Sequence, residues 1–399
     1  AFSIFCSNET PICSDQDLAL MGNIYAFWTS AHAKISGYNP QIVERALAML
    51  QRLPNLVDCT IEQALAHARL STRIGYQYRL GGMLDQAARY YIEAKAAFRH
   101  LGERLNHYED EYAQLLNNLA FVHAKQGRMA LARPLIHEAL RRNEKRGSIY
   151  HIGLTLSTAS RIACMRGNHA QALEYGEEAL KHFRELEDVR GLALAYQDIA
   201  QANRLMAKHE LEKGRNQEKV HEMLKEARDT LEKALQAVQN TSIVSILPEL
   251  YAELGRIYRD LGHITRQTRG FEEAIIYYHQ AEEQFNLALQ TWQHPEAVTA
   301  ERADTLQDLA EVLLALGDRR RVEEILKQIG ESIGEDYLIV PEQQKVPAEG
   351  LPTQYFSPLG KVEMLRGQLA LADGKLEEYV QHFIIAYAYF MHFSTEAIE

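Results

Sequence analysis

Residues 115–142 read LLNNLAFVHAKQGRMALARPLIHEALRR, and two helical periods fit them. Leu116, Leu119 and Ala120 share one face of a first segment, and Ala132, Leu135, Ile136, Ala139 and Leu140 share one face of a second. Each segment is about fourteen residues long, and Gln126-Gly127-Arg128 between them is a tight turn. The small residues Ala120, Ala132 and Ala139 stand where two helix backbones must approach closely, with larger aliphatic residues around them. Such a hairpin cannot bury its own apolar faces, so it demands neighbours.

The rest of the chain supplies them. A small residue, a turn residue seven on, an Ala five further and another Ala seven later describe Ala120, Gly127, Ala132 and Ala139. The same template returns Gly75, Gly82, Ala87 and Ala94, and then Ser160, Gly167, Ala172 and Ala179. A fourth copy opens at Ala200, with a turn expected near Ala207 and late closing alanines at Ala227 and Ala234. A fifth carries Gly255, Tyr258 and Gly262 and closes at Ala281 and Ala288. In both copies charged helix formers around Gly214 and Gly270 lengthen each arm by about one to two turns. Two long adjacent hairpins are therefore expected, with Val220, Met223 and Leu224 of one meeting Ile275, Ile276 and Tyr278 of the other.

A sixth copy, Ala310, Gly317, Val322 and Ile329, is regular again. Pro341, Pro347, Pro352 and Pro358 then preclude a continuous helix between Gly330 and Gly360, which reads as a long extended loop. Near the start, Ser14 or Asp15 caps a helix running to about Ile35, and Pro40 opens another that Pro54 stops. The organisation that follows is a degenerate first helix pair within 1–60, regular copies over 61–190, elongated copies over 191–295 and a regular copy at 296–330. The proline-rich loop at 331–360 and a final pair at 361–399 complete it. That pair ends in the aromatic run AYAYFMHF, an apolar surface that serves as a cap or adjoins a further domain.

Composition narrows the function. Gly and Pro are sparse while Ala, Leu, Glu, Arg and Gln dominate, which favours an all-helical chain. A net charge of −11 argues against general nucleic-acid binding, which needs clustered Lys and Arg. No apolar run approaches the ~18 residues of a membrane helix, so no membrane partner is expected. Cys6, Cys13, Cys59 and Cys164 form no CxxC and read as free thiols in a reducing, cytoplasmic setting. The chain opens Ala-Phe-Ser-Ile and is expected to be part of a longer protein. No phosphate-loop, dinucleotide, zinc-protease or serine-hydrolase signature occurs, so neither catalysis nor a cofactor or metal is expected. The acidic run Glu109, Asp110 and Glu111 begins a helix, where its charge complements the dipole.

Ile74-Gly75, Tyr78, Gly82, Ala87, Tyr91 and Ala94, with Leu254-Gly255, Tyr258 and Gly262, resemble the tetratricopeptide repeat. Spacings near 40 residues, and LLNNLA followed by ARPLIHEAL, are similar to the longer-helix subclass found in kinesin light chains and bacterial signalling NTPases. The resemblance implies an all-α, right-handed superhelical solenoid of about seven to eight antiparallel helix pairs, with first helices lining a concave groove.

The resemblance also implies which residues face that groove. They lie two and five before, two and five after, and immediately before the Leu/Ile column of each first helix. The residue immediately before is Arg73, Asn118, Thr158, Asp198, Glu253 and Asp308 in successive copies. From these positions Arg69, Arg73, Tyr76, Asn117, Asn118, Phe121, Arg161, Gln197, Gln201, Arg204 and Arg256 are candidate ligand contacts. The face grades from basic and aromatic to acidic. The carboxylate clamp of chaperone-tail binders is matched only at Asn118, so that activity is not expected. Asn117 and Asn118 are poor helix formers in a helix interior. They either hydrogen-bond a neighbouring helix or grip a ligand's backbone amide.

The expected function is a non-catalytic module that binds a protein or peptide in its groove, as the sensor region of a larger bacterial signalling protein beside an NTPase or effector domain. Sensing of a sugar or metabolite, and self-assembly through the long hairpins, are the alternatives.

Overall fold

A computed structural model describes residues 14–36, 38–214, 216–239, 241, 243, 245–291, 300–333 and 356–396. Among these residues there are sixteen α-helices and no strand. The chain divides into two compact units, Ala1–Leu119 and Ala120–Glu399. The first holds α1 (Asp15–Ser36), α2 (Pro40–Arg52), α3 (Ile61–Leu80), α4 (Leu84–His100) and the start of α5 (Glu109–Lys125). The second continues through α6 (Met129–Arg146), α7 (Ile149–Met165), α8 (His169–Glu185), α9 (Val189–Glu212) and α10 (Gln217–Val238). It then holds α11 (Leu247–Thr268), α12 (Phe271–Thr291), α13 (Ala300–Leu316), α14 (Arg319–Ile333), α15 (Phe356–Ala372) and α16 (Leu376–Glu396).

Local chemistry sets the boundaries. The Ser14 hydroxyl accepts the Asp17 N–H while Asp17 accepts from Ser14, which fixes the start of α1. Asn39 caps α2 with Pro40 in its first turn, and Thr60 and Gln63 form a capping box on α3. Gly127 takes φ +78°, and the Arg128 N–H reaches back to the His123 carbonyl, closing α5 in a left-handed turn that favours glycine. Gly82, Gly167, Gly317 and Gly374 repeat that conformation at the same template position.

In the first unit Ala19, Ala26, Ala46, Leu50, Ala66, Leu70 and Ile74 pack α1, α2 and α3 together. In the second, a core from Ala193 to Tyr389 runs through α9 to α16, and Leu156, Ala179, Phe183 and Ile199 join α7, α8 and α9. The template alanines 87, 94, 120, 132, 139, 172 and 179 are all fully buried. They stand where they let helices close up, as their size requires.

The fourth and fifth copies have long helices, 24, 22, 22 and 21 residues against 17 in α7 and α8. Two spacing-based expectations fail there. Ala207 is fully buried inside α9, and the turn comes at Gly214. Gly262 lies inside α11, where a Cβ would come within 2.6 Å of the Tyr278 ring; the turn comes at Gly270. The glycine that elsewhere makes a turn here makes room for an aromatic ring.

Val220, Leu224 and Tyr278 do share one core, with Met223 and Tyr277 against it. Ile276 does not, being 62% exposed, because α12 turns Ala274, Tyr278, Ala281 and Phe285 inward and leaves position 276 opposite. The expected proline-rich loop is shorter at both ends: α14 runs to Ile333 and α15 starts at Phe356, so Pro358 sits in a first helical turn, where no N–H is needed. Pro341, Pro347 and Pro352, like Cys6 and Cys13, lie outside the described residues.

Candidate functional site

The positions expected to face a ligand take two different states. In the second unit they form a ladder of ion pairs across the first helices. Arg161 of α7 donates from Nε to Asp198 of α9 at 2.8 Å, reaches Gln197 at 3.3 Å and lies 3.6 Å from Glu249 of α11. Arg204 of α9 donates to Glu253 at 2.6 Å and Asp260 at 3.1 Å, both on α11. Arg256 donates to Asp308 of α13 at 2.7 Å, and Arg259 donates to Asp308 at 2.5 Å and Glu311 at 2.9 Å. Lys361 of α15 closes the series on Asp304 at 2.8 Å.

One rule covers four of these pairs. An arginine two or five residues after the Leu/Ile column of one copy meets the acid immediately before that column in the next. The side chains of Arg204, Asp198 and Glu253 are buried, so the charges depend on each other for solvation. Burial opposes the charge of Asp308, yet Arg256, Arg259 and Lys361 overcome it and hold the carboxyl well below the usual range. Burial likewise opposes Asp260, and Arg259 and Arg204 keep it below its ordinary value. At Asp198 burial wins: the carboxyl is pushed up even with Arg161 and the Ser157 hydroxyl on it. Cys164 lies beside this rung, its thiol pushed up to about 12 by burial and then by Asp198 and Glu253. It is a poor nucleophile.

The first unit differs. Arg69 is committed, its fork held by Glu111 of α5 at 2.6 and 2.7 Å and by Asn23 of α1 at 3.0 Å, over the Tyr108 ring. Tyr76 lies under the Arg79 guanidinium at 4.9 Å. Arg73, half-buried on α3, makes no hydrogen bond or ion pair among the described residues. Asn118 of α5 is only 8% exposed and also has no such partner. The buried Oδ1 of Asn117 accepts no hydrogen bond.

Neither asparagine therefore serves as a bolt to a neighbouring helix. The buried Asn117 oxygen without a partner costs about 1–3 kcal/mol, which a ligand's donor would recover. Gln201 of α9 is half-buried and has no hydrogen-bond partner among the described residues, and Phe121 lies 5.8 Å from the Lys125 ammonium.

Asp260, Lys361 and Ser157 belong to the ladder without having stood out in the sequence. The signal was present: arginines at fixed offsets in one copy face acids at a fixed offset in the next. Among the described residues no three His, Cys, Asp or Glu side chains are placed to hold a metal ion. Nor is any described helix long and apolar enough to cross a membrane.

The tetratricopeptide repeat family profile matches residues 111–185, which include the hairpin of α5 and α6 and that of α7 and α8. The chain thus carries tetratricopeptide repeats, and its fold is all-α, built of paired helices. Comparison with curated proteins by sequence gives no match. Among solved structures, the chain is similar to a Rap protein complexed with Competence and Sporulation Factor. The identity is 14%, over 100% of this chain and 90% of that one, at TM-score 0.58. It is also similar to the Rap conjugation gene regulator of the plasmid pLS20 in complex with the Phr* peptide. There the identity is 12%, over 96% and 98% of the two chains, at TM-score 0.53. Aspartyl phosphate phosphatase F from Bacillus subtilis gives 11% identity over 98% and 96%, at TM-score 0.51. At these identities the likeness is one of fold.

Proposed function

We propose that the chain is a non-catalytic recognition module that binds an extended peptide on the first-helix face of the first unit, with Arg73, Asn117 and Asn118 as its polar contacts. The observation that carries this reading is Asn118, only 8% exposed and without a hydrogen-bond partner among the described residues, in the column where Asp198, Glu253 and Asp308 are all ion-paired. An asparagine offers both a donor and an acceptor, which suits a peptide bond, and Arg73 adds a charged fork for a carboxylate or a carbonyl. Two of the similar structures hold a factor or a peptide, which supports this class of ligand. The role of sensor in a bacterial signalling protein, linked to an NTPase, rests on the repeat subclass, and peptide binding would bias that output.

The test is capture of short synthetic peptides from an array of mixed sequence. The unsubstituted chain is expected to retain a related set of peptides, and Arg73→Ala with Asn118→Ala to weaken capture about tenfold or more at an unchanged helical signal. Undiminished capture by the double variant defeats the assignment of these residues. No capture at all defeats the peptide reading.

A further inference from the structure

One ion pair of the second unit does not belong to the ladder. Lys125 Nζ lies 3.6 Å from Glu301. Lys125 ends α5 and Glu301 stands in the first turn of α13, so three first helices, α7, α9 and α11, come between them along the chain. Ladder pairs join residues at similar depth in helices that lie side by side. Arg256 and Asp308 are both in mid-helix, and Lys361 and Asp304 are both near the start of theirs. Here the last turn of one helix meets the first turn of another. The contact therefore does not stack one copy on the next. It closes the arc of first helices in the second unit upon itself.

This pair is built to open. Both side chains are 30% exposed, against 7% and 2% for Arg204 and Glu253, so salt screens it where the buried rungs are sheltered. Lys125 also has a second seat. The Phe121 ring lies 5.8 Å from its ammonium, one turn back on the same helix, and a cation–π contact holds the charge there once Glu301 withdraws. Each charge suits its own helix as well, a cation at the C-terminus of α5 and an acid at the N-terminus of α13, so neither depends on the other. We propose that Lys125 and Glu301 form a clasp that holds the arc of the second unit shut, and that its release widens access to the inner face. The half-exposed acids Glu249 and Glu311 stand on that face. The clasp does not require the peptide reading of the first unit.

Zero-length carbodiimide coupling of the full chain, with digestion and mass spectrometry, tests the clasp. An amide link between Lys125 and Glu301 is expected at low salt. Its yield should fall about threefold or more in 1 M sodium chloride, where the screening length is about 3 Å, relative to a link between Lys361 and Asp304. Packing of α15 on α13 keeps that second pair within reach at any salt. Absence of the link between Lys125 and Glu301 at low salt overturns the closed arc, and a yield ratio indifferent to salt overturns its release. Spin labels on Ala130→Cys of α6 and Glu323→Cys of α14, both exposed, read the arc itself once the native cysteines are replaced. Their separation should lengthen with Lys125→Glu and return to the parent value when Glu301→Lys is added. A separation that Lys125→Glu leaves unchanged overturns the proposal, as does one that reversal of both charges fails to restore.

Discussion

The residue immediately before the Leu/Ile column is Asp198, Glu253 and Asp308 in α9, α11 and α13, and Arg73 and Asn118 in α3 and α5. The scaffold position is the same and the chemistry is opposite. In the later copies each acid meets an arginine of the copy before it, so the charge is spent within the molecule. In the earlier copies no acid stands there, and Arg73 and Asn118 make no hydrogen bond or ion pair among the described residues. In the second unit the column before the Leu/Ile position holds neighbouring helices through ion pairs, whereas in the first unit the pairing moves to Arg69 and Glu111 and that column is where we propose the ligand binds. The grading of charge along the chain marks the seam between those tasks and says little about a ligand's own charge.

The comparison can be broken most forcefully at the ladder. Arg204→Ala takes one of two cations from Glu253, which keeps Arg256, and from Asp260, which keeps Arg259, so the loss approaches the about 3–5 kcal/mol that removal of one member of a buried pair costs without reaching its upper end. Urea unfolding followed by circular dichroism reads this directly. Pairing Arg204→Met with Glu253→Leu should recover much of the loss, because both charges then leave together. An Arg204→Ala chain as stable as the parent would show that the ladder does not hold the helices.

Acid is the second lever. Asp260, Asp308 and Glu311 titrate below their ordinary values in the folded chain. They therefore add stability above the ordinary carboxylate pKa of about 4, and that stability is lost as pH falls through their folded values. Asp198 runs the other way: its raised pKa favours the fold at low pH and opposes it as pH rises through the folded value. Three groups against one predict a midpoint of thermal unfolding that falls progressively below about pH 4. A midpoint that rises there contradicts the assignment.

The smallest effect is expected in the earlier copies. Asn118→Ala removes an amide that has no hydrogen-bond partner among the described residues and is not sealed from solvent, so stability should stay within about 0.5 kcal/mol of the parent. A structural hydrogen bond at this position would instead cost about 1 kcal/mol or more on substitution.

Much of the fold was legible because alanine and glycine are placed by size and backbone angle, and both recur at fixed spacing. Gly127 reads correctly as a turn since its neighbours continue the pattern on both sides. Gly262 misleads, because a glycine that admits the Tyr278 ring looks in sequence like a glycine that ends a helix. Ile276 misleads because added turns rotate which residues face inward. At the site, the groove columns named Arg161, Arg204 and Arg256, yet spacing within one helix does not reveal a partner some 40 to 50 residues away. Asn117 and Asn118 stood out since their helix propensity is poor. Only the neighbours' positions show that Asn118 has no hydrogen-bond partner among the described residues.

The most direct measurement places a photo-crosslinking residue at Gln114, one turn before Asn118, and separately at Gln201 of α9. Irradiation with peptides retained from the array should join peptide to the chain from position 114 and not from position 201. Labelling confined to position 201 would put the ligand on the ion-paired copies and contradict the division of tasks between the two regions.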